Sequence, residues 1–316
     1  MAMEGIIKAI CVSDVRGVQK HSVESAHFKT GWGIDGDAHG GDWHRQVSIL
    51  SYEKIEQFND LGADVGYGDF GENLVVEGID LRKLPAGALL RCGEVVLEIK
   101  QIGKQCHTHC RIYEKMGDCI MPREGVFARV IHDGIVSAGD KMEIDIPDNT
   151  PIRAAVLILS DKGAAGQRKD ESGPIIKKML EESGYSIEDE LMLPDEQSEI
   201  EAALINLADR QQVNLILTSG GTGFSRRDVT PEATLAVARR NAPGIAEAIR
   251  AYSMQITGRA MLGRGVSVIR GKTLIVNLPG SPKAVRESLE YILPYLKHGI
   301  EILKGEAAEC AAKEGL

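Results

Sequence analysis

Aromatic side chains are scarce, at 4% of the 316 residues. A platform that stacks unpaired bases needs rows of them, so their scarcity argues against single-stranded nucleic-acid binding. Excess positive charge is also missing. Lysine and arginine number 37 against 46 aspartates and glutamates, a formal net charge of −9. That balance disfavours nucleic acid and anionic membrane surfaces as partners. No apolar run approaches the roughly 18 residues of a membrane-spanning helix. The opening MAMEGIIKAICVSDVRG has no basic segment followed by a long apolar one. The expectation is a soluble, cytoplasmic protein with neither nucleic acid nor membrane as partner.

Cysteine is nearly absent from the second half. Cys11, Cys92, Cys106, Cys110 and Cys119 precede the midpoint, and Cys310 stands alone after it. Seven of the eight histidines lie before residue 148. In a reducing cytosol these thiols are not expected to pair. Thiol or soft-ligand chemistry therefore belongs to the first half, unless most of these cysteines are simply small buried apolar residues.

What is present suffices for two domains. Apolar residues make up 43% of the chain. The stretch IPDNTPIRAA (146–155) breaks regular structure, with Pro147 and Pro151 flanking Asp148 and Asn149. It divides the chain into 1–147 and 148–316. Before it, short β-like runs such as GIIKAICVS (5–13), QVSIL (46–50), NLVVEG (73–78) and GEVVLEIKQI (93–102) alternate with glycine-rich turns. A mostly β, barrel-like domain is predicted, with SYEKIEQFNDLG (51–62) as its best helix. After the linker, strands and helices alternate. RAAVLILS (153–160) is a continuous apolar run, as in a buried parallel strand. IEDELMLP (187–194) and VNLILT (213–218) read as further strands, and SEIEAALINLADR (198–210) as a helix. Thr230-Pro231-Glu232 reads as a helix cap, VSVIRGKTLIVNLP (266–279) as a hairpin turning at Arg270-Gly271-Lys272, and Pro282 to Lys304 as a last helix. This alternation predicts an α/β three-layer sandwich with helices on both faces of the sheet.

One loop concentrates the chemistry. TSGGTGFSRRDVTPEAT (218–234) follows directly on a predicted strand. In open α/β sheets, ligands bind at the carboxyl ends of strands. Gly220, Gly221 and Gly223 let backbone N–H groups approach an anion, Ser219 and Thr222 add hydroxyls, and Arg226 and Arg227 add charge. No Gly-Lys-Ser/Thr follows, so this is not a P-loop. Arg226 stands where a dinucleotide fingerprint needs its third glycine. A plain tight turn is the alternative, but three glycines, the hydroxyls of Ser219 and Thr222, two arginines and Asp228 within eleven residues favour an oxyanion site.

These residues carry a resemblance. TSGGTGFSRRDVTPEAT, LSDKGAAGQRKDESGP (159–174), LPDEQ (193–197) and NLPGSP (277–282) are similar in order and spacing to the MogA/MoaB family of molybdenum-cofactor biosynthesis proteins, over roughly 150–305. The resemblance implies that the second half binds molybdopterin and transfers AMP to its terminal phosphate from ATP, releasing pyrophosphate. A phosphate oxygen is already anionic, so alignment and charge neutralisation matter more than a strong base. Mg²⁺ held by one or two carboxylates is the usual means. The resemblance places the catalytic and metal-holding aspartates on Asp195 and Asp228, with Asp161 as a further metal candidate. Turn or helix-entry capping is the alternative for Asp161 and Asp170, and an Asx turn for Asp228. Only the resemblance assigns Gly280 and Ser281 a substrate contact; as residues they read as a tight turn and a helix N-cap. It also implies a homotrimer built through the second half and hand-over of product to a molybdate-insertion protein.

The first half resembles the MOSC domain over about 5–146, through GWGIDGDAHGGDWHRQVSIL (31–50), GDFGENLVVEG (68–78) and KQIGKQCHTHC (100–110). That resemblance implies binding of the pterin or the metallated molybdenum cofactor. Cys106 would be the molybdenum ligand or sulfur acceptor, and His39 and Arg45 would be contacts. A thiolate suits a soft metal, and Lys104, His107 and His109 are near enough in sequence to favour it. Inert buried thiols are one alternative. A zinc site on Cys106 and Cys110, completed by Cys119, His39 or His44, is another. For the whole chain, the alternatives to a transferase are a carrier without catalysis and a sulfur-transfer or redox enzyme centred on Cys106.

Overall fold

A computed structural model describes residues 4–104, 106, 111–147 and 151–305. The chain divides into two compact units, Met1–Thr150 and Pro151–Leu316.

In the first unit seven strands close on themselves. They are β1 (Glu4–Val12), β2 (Val47–Ser51), β3 (Leu74–Glu77), β4 (Leu89–Cys92), β5 (Val95–Ile102), β6 (Val126–His132) and β7 (Lys141–Asp145), in the order β7-β4-β5-β6-β2-β3-β1. Pairing of Glu4 with Glu143 and Ile6 with Lys141 joins β1 back to β7 and completes a barrel. Residues alternate inward along each strand. Ile7, Ile49, Leu97, Ile99 and Val126 meet inside with no solvent exposure, so the barrel is filled and is not a pore. Helix α1 (Tyr52–Asp60) packs outside it, placing Ile55 and Phe58 in a second apolar cluster with Phe70 and Phe127.

The second unit is built on a six-stranded sheet. Its strands are β8 (Ile152–Leu159), β9 (Tyr185–Leu193), β10 (Leu215–Ser219), β11 (Arg240–Asn241), β12 (Ser267–Arg270) and β13 (Thr273–Leu278), ordered β9-β8-β10-β13-β12-β11. The first four in that order run parallel. Every residue of β8 is buried, because the strand has neighbours on both edges and apolar clusters on both faces. Ala154, Val156 and Ile158 meet α2 (Ser172–Glu182), α5 (Pro243–Met254) and α6 (Pro282–Lys304) through Ile176, Ile249 and Leu289. Ala155, Leu157 and Leu159 point the other way, to Ile200 and Leu204 of α3 (Gln197–Ile205) and Ala233 of α4 (Thr230–Ala236).

Local chemistry sets the ends. Gly271, at φ +58°, turns the antiparallel hairpin between β12 and β13. Ser281 accepts from the N–H of Ala284 and Pro282 opens α6. Thr230 departs from its expected capping role. The N-cap of α4 is Val229, and the Thr230 hydroxyl donates to Gly220 O at 3.0 Å, tying the helix to the glycine loop. Among the described residues no helix is long and apolar enough to cross a membrane.

Candidate functional site

The carboxyl ends of β8, β9, β10 and β13 open onto one cleft of about 430 Å³, with Ser160, Asp195, Gly220, Gly221 and Ser281 in its walls. Gly220 and Gly221 make its floor. Their φ angles of +109° and +61° lie where side chains are strained. Space forbids side chains as well: a methyl on Gly220 would run into the Leu159 carbonyl, and one on Gly221 would lie 2.9 Å from Asp195 Oδ1. Both positions are therefore restricted to glycine by the protein atoms packed against them, and both line the cleft.

Asp195 and Asp228 both line this cleft. Asp195 Oδ2 accepts the N–H of Asp161 at 3.0 Å. Its Oδ1 is buried and has no hydrogen-bond partner. Burial raises the Asp195 pKa above the usual carboxylate range; the bond from Asp161 opposes this, and the charges of Asp161 and Asp228 add to it. Asp228 Oδ2 accepts the N–H of Ser225, three residues back, at 2.8 Å, while the Thr230 N–H goes to Gly221 O; this is not the Asx turn that the sequence allows, and the carboxylate stays on the cleft wall. Asp170 caps the start of α2, accepting from Ser172 and Gly173 at 2.9 and 3.0 Å.

Several expected contacts are committed elsewhere. Arg227 donates to Asp161 at 2.8 and 3.0 Å and to Glu196 at 2.7 Å, so its charge is spent on two carboxylates and not on the cleft. Asp161 is thereby held below the usual range, and both of its oxygens face the guanidinium, which argues against it as a metal ligand. Arg226 is exposed, away from the cleft walls. Ser219 lines the cleft, as does Gly280, but it is buried and its hydroxyl donates to Pro279 O at 2.9 Å, just past the end of β13. Thr222 and Gly223 lie outside the cleft wall, and Thr222 borders a separate apolar cavity of about 250 Å³. The cations that do line the cleft are Arg168 and Lys169. They lie in the quoted LSDKGAAGQRKDESGP segment, where adjacent basic residues before a helix start were the available signal.

The first unit has its own cavity, of about 790 Å³. Cys106 is exposed and lines it together with Arg45, His39, Lys104 and Cys119. The Arg45 guanidinium lies 4.9 Å above the Trp43 ring and 5.9 Å from that of Phe127. Its Nε is buried without a partner. Burial lowers the Arg45 pKa, and the nearby Cys106 opposes that shift. His39 turns Nδ1 to Asp37 at 3.1 Å. Asp37 also receives Lys20 at 2.8 Å and Asn73 at 3.0 Å, in a pair whose side chains are each 1% exposed. Burial opposes the Asp37 charge, but bonds from His39 and Lys20 hold its pKa well below the usual range. His44 meets Gln101 at 2.9 Å. Cys11, Cys92 and Cys119 are buried, and burial pushes the thiols of Cys11 and Cys92 up to about 11 and about 12, so neither is a ready nucleophile. Among the described residues no group of three or more histidine, cysteine or acidic side chains is placed to hold a metal. Cys110, which the zinc alternative needs beside Cys106, lies outside the described residues, as do His107 and His109, expected to favour the thiolate, Asp148 and Asn149 of the linker, and Cys310.

Comparison with known proteins matches both halves. Residues 35–143 fit the model of the MOSC domain, and residues 155–298 fit that of a probable molybdopterin binding domain. The molybdopterin adenylyltransferase of Haemophilus influenzae is 43% identical over 157 residues, 49% of this chain and 78% of that protein. That of Escherichia coli K12 is 43% identical over 142 residues, 44% of this chain and 72% of that protein. Among solved structures, the molybdopterin biosynthesis enzyme MoaB of Thermus thermophilus shares 43% identity, covering 50% of this chain and 99% of its own, with a TM-score of 0.48.

Proposed function

Because this chain belongs, through its C-terminal half, to the family of probable molybdopterin binding domains and their adenylyltransferase relatives, and carries a MOSC domain before it, we propose that it adenylylates molybdopterin in molybdenum-cofactor biosynthesis. We read the C-terminal unit as an α/β three-layer sandwich with its active site in the cleft above Gly220 and Gly221. The terminal phosphate oxygen of the pterin attacks the α-phosphorus of ATP. The new P–O bond joins AMP to the pterin phosphate, and the bond to the β-phosphate breaks to release pyrophosphate. No proton need be removed from the nucleophile, so the absence of a histidine from the cleft walls is no obstacle. Gly220 and Gly221 bring backbone close to the anions, and Arg168 and Lys169 balance their charge.

The observation that carries this reading is Asp195 Oδ1, a buried carboxylate oxygen with no partner, in the wall that also holds Asp228. A buried carboxylate oxygen without a partner is costly. Of the four acidic residues that line the cleft, Asp170 is taken up by the start of α2; Asp195 and Asp228 suit Mg²⁺, which takes one or two carboxylates and fills its shell with water and substrate phosphates. Asp195 and Asp228 would hold it. Bound there, the ion supplies charge neutralisation at the phosphates.

In the N-terminal unit, Cys106 and Arg45 would bind the pterin product or the metallated cofactor: a thiol for the soft centre, a guanidinium for the anionic part. A homotrimer would form through the C-terminal unit, where Met254, Ile256, Met261 and Leu262 expose apolar surface. A molybdate-insertion protein would receive the product in the cytoplasm. The test is to incubate the purified chain with ATP, Mg²⁺ and molybdopterin. Adenylylated pterin and pyrophosphate are expected in equal amounts; absence of both leaves a carrier and removes the enzyme.

A further inference from the structure

Arg264 does not line the cleft, yet it binds the cleft's loop at three points and the first turn of α4 at a fourth. Its backbone N–H donates to Thr222 O at 3.0 Å. Its Nε donates to Gly223 O at 2.6 Å. One Nη donates to the carbonyl of Asp228 and the other pairs with Glu232. The side chain is 31% exposed, so these bonds are partly shielded from water.

The loop needs such a tie. Residues 224–227 are exposed, and Phe224 is 71% exposed, so no buried side chain anchors its outer half. Asp228 packs over Gly223: a methyl there would lie 2.8 Å from Asp228 Oδ2. The same two residues give their carbonyls to one guanidinium. Arg264 thus fixes both the residue that carries the carboxylate and the residue beneath it. The carbonyls at Gly223 and Asp228 and the Glu232 carboxylate call for donors spread in a plane, which arginine has and lysine lacks.

We propose that Arg264 is a positioning residue, which acts from outside the cleft to hold the 222–228 loop so that Asp228 faces the cleft with Asp195. Its effect on turnover rests on the adenylylation reading above; its effect on the loop does not. In the full chain, Arg264→Ala is expected to raise the Mg²⁺ concentration for half-maximal turnover about tenfold or more, as loss of a group supporting a metal ligand does. Turnover at saturating Mg²⁺ should fall less. Amide exchange across residues 222–228 should speed up, while β10 keeps wild-type protection. Arg264→Lys should restore neither property. Wild-type exchange in the loop, or an unshifted Mg²⁺ requirement beside reduced stability, would overturn the proposal. If Arg264→Ala fails to fold, Glu232→Gln replaces it; it removes one charged acceptor, and faster loop exchange is again required. If the wild-type chain makes no adenylylated pterin, the adenylylation reading falls and loop exchange alone decides the role of Arg264.

Discussion

Asp161 and Asp195 hold each other through their backbones. The N–H of Asp161 donates to Asp195 Oδ2 at 3.0 Å, and the N–H of Asp195 donates to Asp161 Oδ1 at 3.1 Å. This reciprocal pair locks the exits of β8 and β9 together and leaves Asp195 Oδ1 bare. Because the Asp195 pKa is raised in the folded chain, folding favours its protonated form. The folded state then binds more protons than the unfolded one, so stability falls as pH rises from the ordinary carboxylate range through the raised value. Asp195→Asn keeps an acceptor for Asp161 and removes the charge. It should lower turnover on the order of 100-fold, and its denaturation midpoint should fall less with rising pH than that of the wild type. An equal pH slope in the two proteins would refute the assignment.

Asp228→Ala should reduce turnover far more than it weakens pterin binding, since the group is assigned to the metal and the reacting phosphates. Turnover and calorimetric affinity measured on the same preparation give the comparison. Equal losses would remove its catalytic role.

Gly220→Ala forces a methyl toward the Leu159 carbonyl at a φ of +109°. A loss of about 1–3 kcal/mol or more is expected from such strain, together with loss of turnover. Gly271→Ala is the control. Its φ is also positive, at +58°, but its methyl would meet nothing within 4 Å. It should cost about 1 kcal/mol and leave turnover intact. Similar costs at both positions would show that the close approach at Gly220 is unimportant.

Glu72 is wholly buried in the first unit and accepts from Gly68 at 2.6 Å and Phe70 at 3.1 Å. Burial raises its pKa to about 7, against these bonds. The folded form therefore retains a proton that the unfolded form has lost, and the barrel should lose stability between its usual carboxylate range and neutral pH. The loss should amount to a few kcal/mol at most, since one pKa unit is about 1.4 kcal/mol. Glu72→Gln should flatten that part of the profile. A wild-type slope in the variant would place the proton elsewhere.

Cys106→Ala should strip the N-terminal unit of any molybdenum or pterin that co-purifies, and Arg45→Ala should weaken retention without changing the thiol count. Elemental analysis and mass spectrometry read both. Unchanged molybdenum in Cys106→Ala would remove the ligand role.

Much of the fold was legible because it is written in local patterns. The unbroken apolar run of β8 announced a strand covered on both faces. Gly271 marked the hairpin, and Ser281-Pro282 marked the start of α6. Helix α5 was missed. Its PGIAEAIRAYSM follows the charged Arg239 and Arg240, and its small apolar residues leave a weak stripe. The candidate site was half legible. Glycines that must approach closely can be seen in sequence, since no other residue fits. Charge partners cannot. Nothing in the string shows that Arg227 reaches Asp161, 66 residues away, and Glu196, 31 residues away. Nor does it show that Arg168 and Lys169, rather than Arg226 and Arg227, line the cleft, or that the Thr230 hydroxyl bonds Gly220 O.

Trp43, which lies beneath Arg45, has one further consequence. The chain has two tryptophans, Trp32 and Trp43, and both belong to the first unit. Indole emission therefore arises in the N-terminal unit alone. A ligand entering beside Cys106 should alter the light from Trp43 without a label.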